Sequence, residues 1–152
     1  SQNARALYLT YASDSNNVET YDQLLTDHGS SSYADQASFL MAKKLFDAGN
    51  YQSALSIIEP LTLSDNGAIS STAILRTATV YLQLGQHESA LTMLDSLTDA
   101  NFLGLVHSMK GDIYLDLANT PEAQKHYRLA ISSITDNSTL IRLIQITLDD
   151  LN

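Results

Sequence analysis

Four histidines and two acidic pairs are the side chains of this 152-residue chain whose types could carry chemistry. Cysteine is absent, which removes disulfides, thiol nucleophiles and cysteine-ligated zinc. His126 follows Glu122 by four residues, so on a helix the two share one face, as a pair of metal ligands would. Two ligands do not make a site, and the sequence suggests no third beside them. Asp112 and Asp116 share a face in the same way, and Asp149-Asp150 form a second acidic spot. Paired carboxylates serve glycoside hydrolysis or proton transfer only when a pocket fixes their separation, so a solvated face is the expectation. His87 stands in a turn, His28 near a helix end that favours a cation, and His107 where a large packing side chain is suited. No serine–histidine–aspartate ordering, phosphate-cradling glycine loop or dinucleotide fingerprint occurs. The expectation is a protein without catalysis, metal or cofactor.

The charge balance points the same way. Seventeen acids against eight bases give a net charge of −9, and no basic cluster exists beyond Lys43-Lys44. A nucleic-acid surface is therefore not expected. Uninterrupted apolar runs reach only about four residues, far short of the roughly 20 that cross a bilayer. The chain opens Ser-Gln-Asn rather than with Met, which reads as a piece of a longer protein.

The elements that must position these residues are helical. Residues 4–12, ARALYLTYA, look like the tail of a helix arriving from upstream, and SDSNN at 13–17 is a turn. Val18, Tyr21, Leu24 and Leu25 repeat at helical spacing with Gly29 as a stop, and Ser32-Tyr-Ala-Asp35 has the capping-box pattern. Beyond this point the sequence repeats. Ala54, Ala90 and Ala123 lie 36 and then 33 residues apart, and each follows a turn: AGNY, LGQH and ANTP. A small residue precedes each alanine by 12 positions: Ala42, Ala78 and Gly111. A period near 34 with small residues at these two places marks tetratricopeptide-type helical hairpins, because closely crossing helices exclude bulk there. The third unit fits best, with Gly111, Tyr114, Ala123, Tyr127 and Ala130 in place and Pro121 in a first turn capped by Thr120. The first two are degenerate: Leu45 replaces the usual tyrosine, and no tryptophan occurs.

The last segment, STLIRLIQITLDDLN, reads as one helix from about 138 to 151. Leu140, Ile141, Ile144, Leu148 and Leu151 form a stripe that Leu143 and Ile146 widen. A terminal cap needs only one buried face, so the surplus width is a candidate surface for a partner or for a homodimer.

Setting the repeat alanines in register puts one set of residues on the inner wall of such a solenoid, and these are the candidate protein-binding groove. They are Phe39, Lys43 and Phe46 from the first unit, and Leu75, Thr79, Leu82 and Gln83 from the second. The third unit supplies Leu105, Ser108, Asp112, Leu115 and Asp116. With Lys43 the only base, a clamp for a terminal carboxylate is disfavoured. An apolar trough suits an amphipathic helix or an extended segment. Burying about 600 Å² would contribute ~15 kcal/mol gross, mostly offset by ordering, so micromolar binding is expected. The same residues packing against the N-terminal helices is the other outcome left open.

Four stretches carry a resemblance: SSYADQASFLMAKKLFDAGNYQSAL, ILRTATVYLQLGQHESALTMLDSL, KGDIYLDLANTPEAQKHYRLAI and the tail LIRLIQITLDDLN. Together they resemble ancillary SecYEG translocon subunits of the YfgM type, over residues 31–152. The resemblance implies a bacterial inner-membrane protein with one membrane-spanning helix and a periplasmic repeat domain. Its implied partners are the SecYEG translocon, periplasmic chaperones and translocating polypeptides, and it would touch the membrane only through an upstream anchor. On this reading residues 1–29 continue from that anchor, 30–137 hold three tetratricopeptide-like hairpins, and 138–152 form the capping helix. The fold class expected is all-α, a tetratricopeptide-like helical hairpin solenoid. The alternative function is a soluble repeat adaptor for assembly of another complex.

Overall fold

Asn3 opens the first helix in the computed structural model, which describes residues 3–152. Its backbone is extended and its side chain accepts from the Ala6 amide at 2.9 Å, so α1 (Ala4–Ser13) has a capped start. The chain divides into two compact units, residues 1–73 and 74–152.

In the first unit α1 is followed by α2 (Val18–His28), α3 (Ser32–Asp47) and α4 (Tyr51–Ile58). The core joins Leu7 and Tyr11 of α1, Tyr21 and Leu24 of α2, and Ala34, Ala37 and Met41 of α3. The Tyr21 hydroxyl meets Ser38 Oγ at 3.0 Å, which satisfies both buried oxygens. Lys44 fastens the SDSNN turn by donating to the Ser15 carbonyl at 2.9 Å and to Asn16 Oδ1 at 2.8 Å. Two expected details differ. The cap of α3 is Ser31 rather than Ser32, because Ser31 has the extended backbone and its Oγ accepts from the Ala34 amide. Gly29 ends α2 in right-handed geometry, without the left-handed turn of a usual glycine stop. Pro60 falls where α4 gives way to a 3₁₀ turn, Glu59–Leu63, and its missing amide helps to end the regular α-helical ladder there.

Helix α5 (Gly67–Gln83) runs across the division between the units. In the second unit its residues from Ile74 onward precede α6 (His87–Asp95), α7 (Leu103–Asp116), α8 (Thr120–Ser133) and α9 (Ser138–Leu151). One cluster gathers Ile74 and Ala78 with Ala90 and Leu94 of α6 and Val106 and Ile113 of α7. A second joins Ala123, Tyr127 and Ala130 of α8 to Ile144 and Leu148 of α9. Asn119, not Thr120, caps α8: its side chain accepts from the Glu122 amide, and Thr120 is the first helical residue. On α9, Ile144 and Leu148 are buried, while Leu143 and Ile146 remain 56% and 52% exposed. Among the described residues no helix is long and apolar enough to cross a membrane.

The marker alanines explain the hairpins. Ala54, Ala78, Ala90 and Ala123 have no exposed surface, and Ala42 has 6%. Each hairpin turn closes in one way. The amides of Asn50, Gln86 and Asn119 return to the carbonyls of Leu45, Tyr81 and Tyr114 at 2.8–2.9 Å, the Schellman pattern. That pattern needs a left-handed residue. Gly49 (φ 80°) and Gly85 (φ 72°) supply it, but the third turn uses Ala118 at φ 57°. A Cβ costs roughly 1–2 kcal/mol in that conformation, partly balanced by the extra freedom glycine has when unfolded. Ala118→Gly is therefore expected to raise stability by about 0.5–1 kcal/mol, read as a higher urea midpoint at unchanged m-value.

Candidate functional site

An open groove of about 540 Å³ lies in the second unit, lined by Leu82, Gln83 and Gly85 and by Asp112, Leu115 and Asp116. Helix α7 presents the last three from successive turns, since 112, 115 and 116 follow the three- and four-residue spacing of one face. The left-handed Gly85 turns the chain back from α5 at the groove's edge. Leu82 shares itself between the groove and the core cluster behind it.

Both carboxylates are oriented from outside the groove's lining. The Tyr127 hydroxyl donates to Asp112 Oδ1 at 2.6 Å, and His87 Nε2 lies 2.6 Å from Asp116 Oδ2. Burial of the carboxyl pushes the Asp112 pKa above the ordinary value, opposed by the Tyr127 hydrogen bond. Burial is also the main cause of the raised Tyr127 pKa, and the Asp112 carboxylate adds to it. Tyr127 keeps its proton, and the hydroxyl acts as donor. The groove thus offers leucine methylenes beside two acceptor groups, with no basic residue in its lining.

Five of the expected inner-wall residues meet here: Leu82, Gln83, Asp112, Leu115 and Asp116. Leu105 lines a separate, smaller depression with Gly104, Ile134 and Leu140. Leu75 packs on the core, Ser108 is half-buried, and the Thr79 hydroxyl donates to the Leu75 carbonyl of its own helix. In the first unit, Phe46 stands edge-on to Tyr51 at 5.0 Å. Lys43 there pairs with Asp47 on its own helix at 2.7 Å, and Phe39 is half-buried. Gly85 lines the groove and His87 braces Asp116 beside it, although the helix register marks neither. The turn glycine was a usable signal, but the His87–Asp116 pair spans 29 residues and left none.

The remaining histidines come together in the α7/α8 hairpin. His107 and His126 face each other with Nδ1 atoms 3.0 Å apart. Glu122 stands 3.7 Å from His126 Nε2, on the opposite edge of that ring. Among the described residues no three histidine or acidic side chains converge as ligands.

The family described as tetratricopeptide repeat-like domain matches residues 1–152. An ancillary SecYEG translocon subunit of Neisseria gonorrhoeae is 32% identical over 119 residues, 78% of this chain and 57% of that protein. A protein of the same description from Aggregatibacter actinomycetemcomitans is 28% identical over 137 residues, covering 88% and 65%. The chain thus spans about three fifths of the length of these relatives. Among solved structures, the Yersinia enterocolitica type III secretion translocator chaperone SycD matches 83% of this chain and 96% of its own, with a TM-score of 0.72 at 17% identity. PcrH, in complex with the chaperone binding region of PopD, matches 76% and 89% with a TM-score of 0.65 at 17% identity. These likenesses show an all-α, tetratricopeptide-like fold, and the resemblance to ancillary SecYEG translocon subunits holds in the matched relatives.

Proposed function

Because the chain belongs to the tetratricopeptide repeat-like domain family, we propose that it is a non-catalytic module that holds segments of other polypeptides. The observation that carries this reading is the groove between Leu82 and Leu115, whose wall is part aliphatic and part acidic. Extended polypeptide suits it: leucine surface takes aliphatic side chains, and Asp112 and Asp116 attract a lysine or arginine among them. A fold like that of PcrH, which is in complex with a segment of PopD, supports a peptide-holding role. The matched relatives support a place beside the SecYEG translocon. There the module would face the periplasm on an upstream membrane anchor and assist newly translocated chains together with periplasmic chaperones. Residues 30–137 would form the interaction body and 138–152 its closing helix.

Replacing Leu82 and Leu115 together by Asp tests the groove. Both side chains are partly solvent-facing, so the double variant is expected to fold. Its affinity for a mixed basic-aliphatic peptide, measured by fluorescence anisotropy, is expected to drop at least tenfold (about 1.4 kcal/mol). Unchanged affinity in a folded variant would overturn the groove assignment. For the cellular role, a photo-crosslinker at Gln83 of the full-length, membrane-anchored protein is expected to capture translocating chains. Absence of such adducts alongside normal translocon association would move the binding surface elsewhere.

A further inference from the structure

We infer that the His107–His126 pair is an acid-operated release on the α7/α8 hairpin, holding the helices together across one bridging proton and parting them when both rings are charged. The geometry carries this. The Nδ1 atoms lie 3.0 Å apart, the two rings meet edge to edge with centroids 5.2 Å apart and planes 26° from parallel, and the Tyr114 ring lies 5.4 Å from His126, within 10° of parallel. A hydrogen bond between two imidazole nitrogens needs one N–H and one lone pair. The neutral pair meets this when one ring carries its proton on Nδ1 and the other on Nε2. One further proton is tolerated, since an imidazolium Nδ1–H still donates to its neighbour's lone pair. A second is not: two N–H groups would then face each other across 3.0 Å, with like charges on the buried His126 and the half-buried His107. The protons belong to the pair, which titrates in two coupled steps.

The surroundings oppose charging. From α7, Lys110 acts on both rings, and Asp95 of α6 holds its Nζ at 2.6 Å. From α8, Lys125 acts in the same direction, while Glu122, 3.7 Å from His126 Nε2, acts in the other. Burial, the largest cause, holds both imidazoles below the ordinary histidine value. For His126 the neighbouring His107 adds to it, followed by the lysines. A base whose folded value is depressed binds fewer protons folded than unfolded. Stability is therefore complete above about pH 6.5, the unfolded histidine value, and falls as pH drops below it until the folded pair protonates. Each proton taken up on unfolding multiplies the unfolding constant about tenfold per pH unit, so two give up to about 100-fold. The groove shares this fate, because Asp112, Leu115 and Asp116 ride on α7.

Urea unfolding of the intact chain at pH 7.5, 6.5 and 5.5, beside an NMR titration of the imidazole Cε1–H signals, tests the release. The wild type is expected to lose stability only below about pH 6.5, with faster amide exchange in α7 and α8 and with both signals titrating in linked steps under the ordinary value. His107→Phe, which keeps an aromatic ring at that position but no titratable nitrogen, is expected to halve the slope of stability against pH. Two ordinary, independent titrations with flat stability to pH 5.5 would overturn the inference. So would a slope that His107→Phe leaves unchanged. Should that variant not fold, the wild-type titration decides alone.

Discussion

Gly111→Ala is expected to destabilise the protein by about 2 kcal/mol although it adds one methyl group to a helix. Alanine normally gains about 1 kcal/mol over glycine in a helix interior. Here a Cβ at 111 would stand 2.5–2.9 Å from three ring atoms of Tyr127, contacts that require the ring to move. The ring has nowhere easy to go. It is 2% exposed, packed among Ala123, Ala130, Ile144 and Leu148, and held by its hydroxyl to Asp112 at 2.6 Å. Overpacking of this kind costs about 3 kcal/mol, which outweighs the propensity gain. The result would appear as a midpoint lower by about 6 °C in a thermal melt followed by circular dichroism. Gly67→Ala is the control, because nothing lies within 4 Å of its Cβ position and, at the first residue of α5, little change in stability is expected. A neutral Gly111→Ala would mean that the α7/α8 crossing is looser than its contacts indicate. Adding Tyr127→Leu to Gly111→Ala should cost less than the two single effects summed, because the smaller side chain vacates the clash.

Leu24→Ala is expected to cost the first unit about 3 kcal/mol. Leu24 has no exposed surface and sits where α1, α2 and α3 meet, against Leu7, Tyr11, Tyr21, Ala37 and Met41. Its loss leaves a cavity in a cluster that also holds Tyr11 and Tyr21, whose ring centroids are 5.3 Å apart. The chain contains no tryptophan, so near-ultraviolet circular dichroism reads tyrosine and phenylalanine packing, to which the Tyr11–Tyr21 pair contributes. That signal should weaken while helical content persists at low urea. Leu63→Ala provides the contrast: with 86% of its surface already exposed, it is expected to stay within about 0.5 kcal/mol of the parent.

Local patterns in the chain place part of the groove's lining. The face spacing of 112, 115 and 116 and the alignment of Leu82 with them follow from helix periodicity, so five groove residues stand side by side in the sequence register alone. The same register puts Phe39, Lys43 and Phe46 on the inner wall of the first unit, where Lys43 also pairs with Asp47 of its own helix and Phe46 packs on Tyr51. Cap positions slipped by one residue at Ser31 and Asn119. Several neighbours there carry a suitable oxygen, and only the backbone conformation decides which one reaches the free amide.

By itself the sequence determined that the chain is helical, where its hairpins turn, and which small residues sit at their crossings. Those features depend on neighbours within one or two turns, and a 34-residue period repeats them. The tertiary structure alone decided which polar groups meet: His87 with Asp116, His107 with His126, and Tyr127 with Asp112, at separations of 29, 19 and 15 residues. It also decided that Ile144 and Leu148 are buried while Leu143 and Ile146 face solvent. The physical reason is one of range. Periodicity fixes which face of a helix is apolar, but what that face meets depends on the rotation and offset of a neighbouring helix, set by the packing of every side chain between them.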